Sequence, residues 1–410
     1  KRHQYRGRYL FIISCTFFLL RITIMETSSG TVRGTCQQMC SEKETLLRET
    51  EGLLHQLEAL TIKDDNNVDL KTKCLKADPS KTIKQFSRPA AGRAEMNPSD
   101  LRPASVLKGT VTYLFESIIP KEHPAWSGIY EFVFDRLRAV RQDMVIQGIV
   151  GSDAIVLLEQ IIRFHLYASY RLRTSDLANF DPVINNQHLL ECLKRLLYLY
   201  QITPGCHVNQ PEFESVYLLS NLGDNSALSH CLDLRPDIRR NQIIRQSYEI
   251  SMAYVLRNYA RTLRLISKLQ CVMCLCAVNP HLSNLRINYL QILSAGYSIK
   301  NCTFPILELK QLLCLPSDNE TVSLCSQSGL IDMFDNTSSQ YVCFNRSMFS
   351  QPVESKTAAS LPVLDKLLKQ TSITTLLLGY APGCQGVRVP DKATKGIGRG
   401  RGRGRRVLDG

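Results

Sequence analysis

The side chains best suited to recognition chemistry are arginines, found in one helical stretch and in one repetitive tail. Arg136, Arg138 and Arg141 fall within the run WSGIYEFVFDRLRAVRQDMVIQ at residues 126–147. A guanidinium presents a planar fork of N–H donors that fits carboxylates and phosphates. The three arginines are therefore candidates for docking an acidic partner or a phosphate backbone. The competing interpretation is a solvated helix face with ion pairs such as Asp135 with Arg138.

The second arginine cluster lies in the tail sequence GIGRGRGRGRR. Arginines separated by glycine suit contact with RNA phosphates that does not depend on sequence. Such a segment cannot bury apolar surface, so it is predicted to be disordered. A solubilising or nuclear-import role fits the same composition. The candidate RNA-contacting residues are Arg399, Arg401, Arg403, Arg405 and Arg406.

No catalytic motif accompanies these arginines. The sequence contains no phosphate-binding Gly-rich loop, no metalloprotease helix and no nucleophile elbow, so neither an enzyme nor a cofactor is predicted. The 15 cysteines are scattered, and only residues 36–40 and 271–276 hold close sets. Because no paired Cys/His set accompanies them, we interpret them as buried free thiols in a reducing compartment rather than as zinc ligands.

The net charge of +13 is concentrated at the two ends of the 410-residue chain. Residues 1–8 hold four Lys/Arg and residues 392–406 hold seven, with no acid in either stretch. The remainder is close to neutral, so charge alone does not predict a nucleic-acid-binding body. Hydrophobic residues make up 44% of the chain, which is enough for a packed core.

The arginine stretch is predicted to be a single amphipathic helix. Its apolar residues recur at spacings of three and four, which places them on one stripe. Val133, Leu137 and Val140 lie in that stripe and are predicted to be core residues. Comparable patterns predict helices over residues 104–119, 125–147, 153–173, 185–201, 211–222, 239–257 and 259–278. Near the amino terminus, a capping box at Ser41 and Glu44 is expected to start a helix with a leucine stripe through residues 46–60.

Residues 281–349 differ from the preceding part of the chain, because strands are predicted there as well as helices. A helix over 282–295, a second starting at Pro305 and a third capped by Ser317 precede two short strands, LIDMF and QYVCFNR. Three helices and a β-hairpin predict a winged helix. Its charges are balanced, which favours protein contact or capping over nucleic-acid binding. The later segment LPVLDKLLKQTSITTLLLG is expected to return onto this module.

The amino-terminal run YLFIISCTFFLL at residues 9–20 follows a basic stretch and is typical of a secretory signal. It is too short to span a membrane. No convincing cleavage site follows it, whereas Met25 precedes the first recognisable motif. We therefore expect residues 1–24 to be absent from the mature protein, and secretion is the alternative.

Several phrases together resemble a known family. GTCQQMC, LRPASVLKGTVTYL, DRLRAVRQDMVIQG and RFHLY follow one another in the order of the Sac/GANP (germinal-centre-associated nuclear protein) family's helical domain. The resemblance spans residues 34–349, with Ser41 where the family usually has proline. FSRPAAGR and NPSDLRPASVLKGTVTYL are closer to the family's short, centrosome- and spindle-associated branch than to its long export scaffolds.

The resemblance implies a mainly α fold, a PCI-like solenoid of helical pairs capped by a carboxy-terminal winged helix. The expected divisions are residues 1–33, 34–96, 97–280, 281–350, 351–390 and 391–410. The implied function is a non-enzymatic scaffold in centrosome duplication and spindle assembly, and the alternative is an adaptor in nuclear mRNA export with RNA contact. Expected partners are helical-domain proteins and a small acidic peptide, without a membrane. The expected location is the nucleus and cytoplasm, including the centrosome or spindle.

Overall fold

The computed structural model describes residues 32–60, 75–88, 97–299, 302–334, 340–352 and 360–379. These residues form a mainly helical fold. Residues 1–24 and the tail arginines from Arg399 to Arg406 lie outside the described residues. Within the described part, no helix combines the length and apolar character needed to cross a membrane.

Twelve helices among the described residues precede the first strand. They are α1 Glu42–Thr50, α2 Ala104–Tyr113, α3 Trp126–Ile146, α4 Gly151–Arg171, α5 Pro182–Ile202, α6 Gln210–Ser220, α7 Asn225–Asp233, α8 Pro236–Arg239, α9 Gln242–Val255, α10 Tyr259–Ile266, α11 Val272–Val278 and α12 Leu282–Gly296. A π-helical turn, Leu114–Ile118, continues α2. The predicted helices therefore exist, although several bounds differ.

The carboxy-terminal part combines short helices with a small sheet. Its elements are β1 Thr303–Pro305, α13 Ile306–Leu313, α14 Asp318–Gln327, β2 Ile331–Phe334, β3 Gln340–Cys343, α15 Pro362–Gln370 and α16 Ile373–Leu378. The antiparallel sheet has the order β1-β3-β2. The strands β2 and β3 lie where the sequence predicts a hairpin. The sequence analysis missed β1 because three residues carry no readable alternation.

The apolar stripe of α3 lies in the main core. Val133, Leu137 and Val140 are 0%, 1% and 0% exposed, which confirms the prediction that they are core residues. The core cluster extends from Ile83 in the amino-terminal part to Leu378 in α16. The helix that carries the arginines is therefore fixed on its apolar side, and only its polar side is available for other contacts.

The prediction of one helix over residues 259–278 is wrong. The helix α10 ends at Ile266, and α11 begins at Val272. The hydroxyl of Ser267 donates to the carbonyl of Arg264 at 3.0 Å. A local side-chain bond of this kind competes with continued helical pairing. Leu269, which lies between the two helices, is 1% exposed, so the connecting segment itself packs into the core.

The predicted leucine stripe near the amino terminus is also wrong in part. The helix α1 ends at Thr50, and Gly52 adopts a left-handed conformation with φ of 65°. Leu54 is buried, but Leu46 and Leu47 are 63% and 53% exposed. The turn at Gly52, which the periodicity did not predict, separates these leucines from those that follow.

The segment after the sheet packs on the central helices and not only on the carboxy-terminal module. The helix α16 contacts α4, and the hydroxyl of Thr374 donates to the carbonyl of Phe115 at 3.3 Å. Gly379 has a φ of 85°, and a Cβ there would lie 2.7 Å from Nη1 of Arg163. The expected return onto the winged-helix region is therefore only part of the packing of this segment. Earlier in the segment, the carbonyl of Ser360 accepts from Arg286 at 2.9 Å, which links it to α12.

Candidate partner-docking site

The polar side of α3 is covered by the amino-terminal residues 32–60 and 75–88, which we call the strap. The Glu58 carboxylate is its first anchor. Oε2 of Glu58 accepts from Nη1 of Arg48 at 2.9 Å and from Nη2 of Arg136 at 3.0 Å. Oε1 accepts from the backbone N–H of Ile83 at 2.9 Å. Glu58 is 0% exposed, so one buried carboxylate holds α1, α3 and the later strap together.

Asp143 near the end of α3 is the second anchor. Its Oδ1 lies 2.6 Å from Nζ of Lys84, and its Oδ2 lies 2.7 Å from Nε of Arg102. Lys84 also donates to the carbonyl of Asp100 at 2.6 Å. Buried charges persist only when they are paired and hydrogen-bonded. Asp143 therefore fastens the strap and the residues before α2 to the same helix.

Arg136 belongs to this buried frame. Its side chain is 5% exposed and also lies 2.6 Å from Oδ2 of Asp135. The guanidinium carbon stands 4.4 Å from the ring centre of Phe132. Asp135 also accepts from the backbone N–H of Phe86 at 3.2 Å, so its carboxylate contacts both Arg136 and the strap. Arg136 can therefore position the strap, but its guanidinium is not presented at the surface.

Arg138 is held differently. Its guanidinium carbon lies 3.8 Å from the ring centre of Phe86 and 5.8 Å from that of Phe134. Within the described ranges it forms no ion pair. Partial burial lowers the pKa of Arg138, and the positive charge of Arg88 acts in the same direction, against the effect of Asp135. Its N–H donors are thus oriented by stacking and are not used by a carboxylate of the described residues.

Arg141 is largely compensated. Its Nη2 lies 3.0 Å from Oε2 of Glu191, and its Nη1 donates to Nδ1 of His188 at 2.9 Å. Burial, followed by the charge of Arg141, lowers the pKa of His188 to about 4. The imidazole is therefore neutral at pH 7, with its proton on Nε2. The Arg141 side chain is 18% exposed, so it remains accessible at one edge.

The four residues Phe86, Arg88, Arg138 and Arg141 form what we call the arginine face. Arg88 is exposed and Phe86 is half-buried. The strap is fixed beside this face because Nε2 of Gln142 donates to the carbonyl of Ser87 at 2.8 Å. An oriented cation next to an exposed one can bind a carboxylate or a phosphate through paired N–H donors.

The sequence analysis missed the strap residues that build the site. Glu58 and Lys84 lie in stretches without periodicity, and their partners are 78 and 59 residues away along the chain. The phrase FSRP contained a usable signal, since Phe86 stands two residues before Arg88.

The residues of the RFHLY motif are buried and form hydrogen bonds and an ion pair within the core. His165 is 2% exposed, and its Nδ1 lies 2.8 Å from Oδ1 of Asn185. Burial lowers the pKa of His165 to about 3, so it stays neutral. Arg163 donates to Glu212 at 2.8 Å. The histidine is therefore a hydrogen-bonded structural residue.

The cysteines of the 271–276 set lie in α11 and just before it. Cys274 and Cys276 are 0% and 1% exposed, and neither forms a disulfide. Burial raises the pKa of the Cys276 thiol well above its ordinary value. No group of His, Cys, Asp and Glu in the described part of the chain has a metal-binding arrangement.

These features define a mainly helical protein with a cluster of arginines on α3 and the strap. Comparison with known proteins agrees with this class. A model of the SAC3/GANP family matches residues 39–332. The chain belongs to the SAC3/GANP family, and the matched region includes the strap from residue 39 onward and the arginine face.

Curated relatives are similar over most of this chain. Protein xmas of Drosophila melanogaster is 27% identical over 318 residues, which are 74% of this chain and 15% of the relative. SAC3 family protein 1 of Schizosaccharomyces pombe is 25% identical over 84% of this chain and 34% of its own length. SAC3 family protein B of Arabidopsis thaliana is 27% identical over 70% of this chain and 17% of its own length. The chain therefore spans between 15% and 34% of the length of these relatives.

Proposed function

We propose that this protein is a non-enzymatic scaffold that docks an acidic protein partner on the arginine face. The observation that carries the proposal is the state of Arg138. Its guanidinium is stacked 3.8 Å from the Phe86 ring centre and has no ion pair among the described residues. Family membership supports a scaffold or adaptor role of this kind.

The physical argument rests on preorganisation. A guanidinium that is already stacked loses less conformational freedom when it binds a carboxylate than a free arginine does. Arg88 adds a neighbouring positive charge, which strengthens attraction to an anionic group. Arg141 already compensates Glu191 at 3.0 Å, so we assign it a smaller share of the binding. Arg136 contributes by fixing the strap.

The order of the carboxy-terminal helices and strands supports a winged helix at the end of a PCI-like solenoid. The order α12, β1, α13, α14, β2, β3, with β3 central in the sheet, is the order expected of a winged helix. Together with the preceding helical pairs, it supports a PCI-like solenoid with a winged-helix cap. In this proposal the cap contacts protein or closes the solenoid.

Within this scaffold role, the proposal is that the protein acts in centrosome duplication and spindle assembly. The phrases FSRPAAGR and NPSDLRPASVLKGTVTYL support this branch of the family. The protein would then be found in the nucleus and cytoplasm and at the centrosome or spindle. The second candidate is an adaptor in nuclear mRNA export, which the arginine-glycine tail favours through RNA contact.

The test is quantitative affinity purification of the full chain from dividing cells. The double variant Arg88→Glu/Arg138→Glu is compared with wild type and with a control, Lys366→Glu/Lys369→Glu. The control makes the same change in net charge at two exposed positions of α15. We expect the arginine-face variant to lose specific partners at least about tenfold while the control keeps them. Equal recovery from all three proteins would contradict docking on this face.

The identity of the partners separates the two roles. Recovery of centrosomal or spindle components that depend on Arg138 supports the spindle scaffold. Recovery of nuclear mRNA-export components with the same dependence supports the export adaptor. A Phe86→Leu variant is the finer probe, because it keeps both charges and removes the stacking. We expect it to weaken capture without unfolding the chain.

A further inference from the structure

A groove runs between α9 and α10, two helices joined by a short turn. It has a volume of about 390 Å³ and is lined by Gln242, Arg245, Gln246, Glu249, Leu265 and Lys268. We call it the basic groove. The inner sides of the two helices face the core, where Ile250, Leu263 and Ile266 are all 0% exposed. Of the residues that line the groove, Leu265 packs against the edge of this core, and the other five are polar or charged.

Two cations that line this groove, Arg245 and Lys268, and a third beside it, Arg264, are available to bind an anion. Arg245, Arg264 and Lys268 are exposed, and none of them forms an ion pair with any residue the structure describes. Arg261, beside the groove, lies 3.8 Å from Glu249, and both side chains are about half exposed at 52% and 47%. The concentration is local, since residues 235–268 hold eight Lys/Arg and two acids. A chain whose middle is nearly neutral therefore carries one strongly basic pair of helices.

The cations follow the helix repeat. Arg261, Arg264 and Lys268 are three and four residues apart, so they form one exposed ridge along α10 and beyond its end. Arg245 stands on the opposite wall. Between the walls lie the half-buried Leu265 and the amide of Gln246. The groove thus offers positive charge on both sides, an apolar patch and amide groups that can bond to a peptide backbone.

We propose that the basic groove binds an acidic polypeptide segment that carries an apolar side chain between its carboxylates. The carboxylates would pair with Arg245 and Lys268, and the apolar side chain would contact Leu265. Glu249 in the wall interrupts the track of cations that a continuous phosphate backbone requires. Among the described lining residues there is no aromatic ring on which a base could stack. Both facts favour a protein segment over RNA.

This surface is separate from the arginine face, because its residues lie on α9 and α10 and not on α3 or the strap. The inference therefore goes beyond the proposed function. A scaffold with two anion-binding surfaces can hold two acidic segments at once. Local charge complementarity chiefly raises the association rate and selects among partners.

The test uses a fluorescent synthetic peptide of Glu-Glu-Leu repeats and the full chain, followed by fluorescence anisotropy near physiological salt. We expect binding that weakens at least about tenfold in Arg245→Glu/Lys268→Glu, a loss of affinity expected when like charges replace attraction. The matched control is Lys366→Glu/Lys369→Glu, with the same change in net charge. Circular dichroism checks that both variants remain folded. Arg138→Glu should weaken this binding much less than Arg245→Glu/Lys268→Glu does, which separates the groove from the arginine face.

Four outcomes would overturn the proposal. The first is the absence of peptide binding. The second is an equal loss in the control variant, which would indicate general charge attraction. The third is equal binding of a peptide with glutamine in place of leucine, which would remove the role of Leu265. The fourth is tighter binding of poly(U) RNA with the same dependence on Arg245 and Lys268, which would make the groove a nucleic-acid surface.

Discussion

Nη2 of Arg136 lies 3.0 Å from Oε2 of Glu58, and their side chains are 5% and 0% exposed. The same carboxylate oxygen accepts from Arg48 at 2.9 Å. One buried acid thus compensates two buried guanidiniums from different segments. The contact fixes the strap on α3, and the strap in turn brings Phe86 under Arg138. The surface chemistry of the arginine face therefore depends on a buried ion pair.

Replacing Glu58 by glutamine should lower the free energy of unfolding by about 3–5 kcal/mol, because it leaves buried guanidiniums without a counter-charge. Urea unfolding followed by circular dichroism measures the change. The control is Glu51→Gln, since Glu51 is exposed at the end of α1. It should change stability by less than about 0.5 kcal/mol. If Glu58→Gln matched this control, Glu58 would not anchor the strap.

A pair of neighbouring variants separates core from surface on α3. Leu137→Asp buries a carboxylate at a position that is 1% exposed, which should cost several kcal/mol and unfold the chain. Arg138→Glu removes a cation–π contact worth about 1 kcal/mol and should leave the fold intact. Thermal unfolding of both proteins gives the comparison. Similar unfolding by Arg138→Glu would show that the arginine face is structural.

The fold should lose stability as the pH falls below the ordinary histidine range. The pKa of His165 is about 3 in the folded chain, against about 6.5 when unfolded. Below pH 6.5 the unfolded chain takes up a proton that the buried imidazole does not, so unfolding is favoured. The pKa of His188, about 4, acts in the same direction. His230, whose pKa is raised by its hydrogen bond to Glu214, acts in the opposite one.

Urea unfolding between pH 6.5 and pH 5 tests this, because few carboxylates titrate in that window. We expect the free energy of unfolding to fall by up to about 1.4 kcal/mol per pH unit for each such histidine. A His165→Asn variant should be less stable at pH 7 but have a shallower pH dependence. An unchanged slope in this variant would rule out His165 as the cause.

RNA binding, if the full chain has it, should depend on the arginine-glycine tail. Phosphate attraction scales with the number of cations that displace counterions, and residues 392–406 carry seven Lys/Arg without an acid. A chain ending at Asp391 should therefore lose most affinity for single-stranded RNA, and binding by the intact chain should fall steeply with salt. Equal, salt-resistant binding by both chains would instead place the RNA site on the helical body.

The sequence predicted what depends on local periodicity. The core stripe of α3, the cap at Ser41 and the hairpin of β2 and β3 all follow from residue spacing. The hydroxyl of Ser41 accepts from the backbone N–H of Glu44 at 3.4 Å, as a capping residue should. The start of α5 could also have been predicted from Asp181 before a proline, since its carboxylate accepts from the N–H of Val183 at 2.8 Å.

The sequence did not reveal which polar residues would meet across the chain. The sequence analysis grouped Arg136 and Arg138 on the polar side of the helix, although residues two apart are about 200° apart around the helix axis. The strap gives them different roles, because Glu58 buries the guanidinium of Arg136 while Phe86 orients that of Arg138. Pairs separated by tens of residues leave no periodic signal in a single sequence. The same limit applies to the basic groove, whose walls become one surface only when α9 and α10 pack together.

Site-specific photo-crosslinking from the strap tests the central claim most directly. A photoreactive amino acid is placed at Ser87, which is exposed beside Phe86, or at the exposed control position Gln270. The account predicts that position 87 crosslinks a defined partner in cells and that Arg138→Glu abolishes this crosslink, while crosslinks from position 270 are unaffected. A crosslink from position 87 that persists undiminished in Arg138→Glu, or no partner at position 87, would contradict docking on the arginine face.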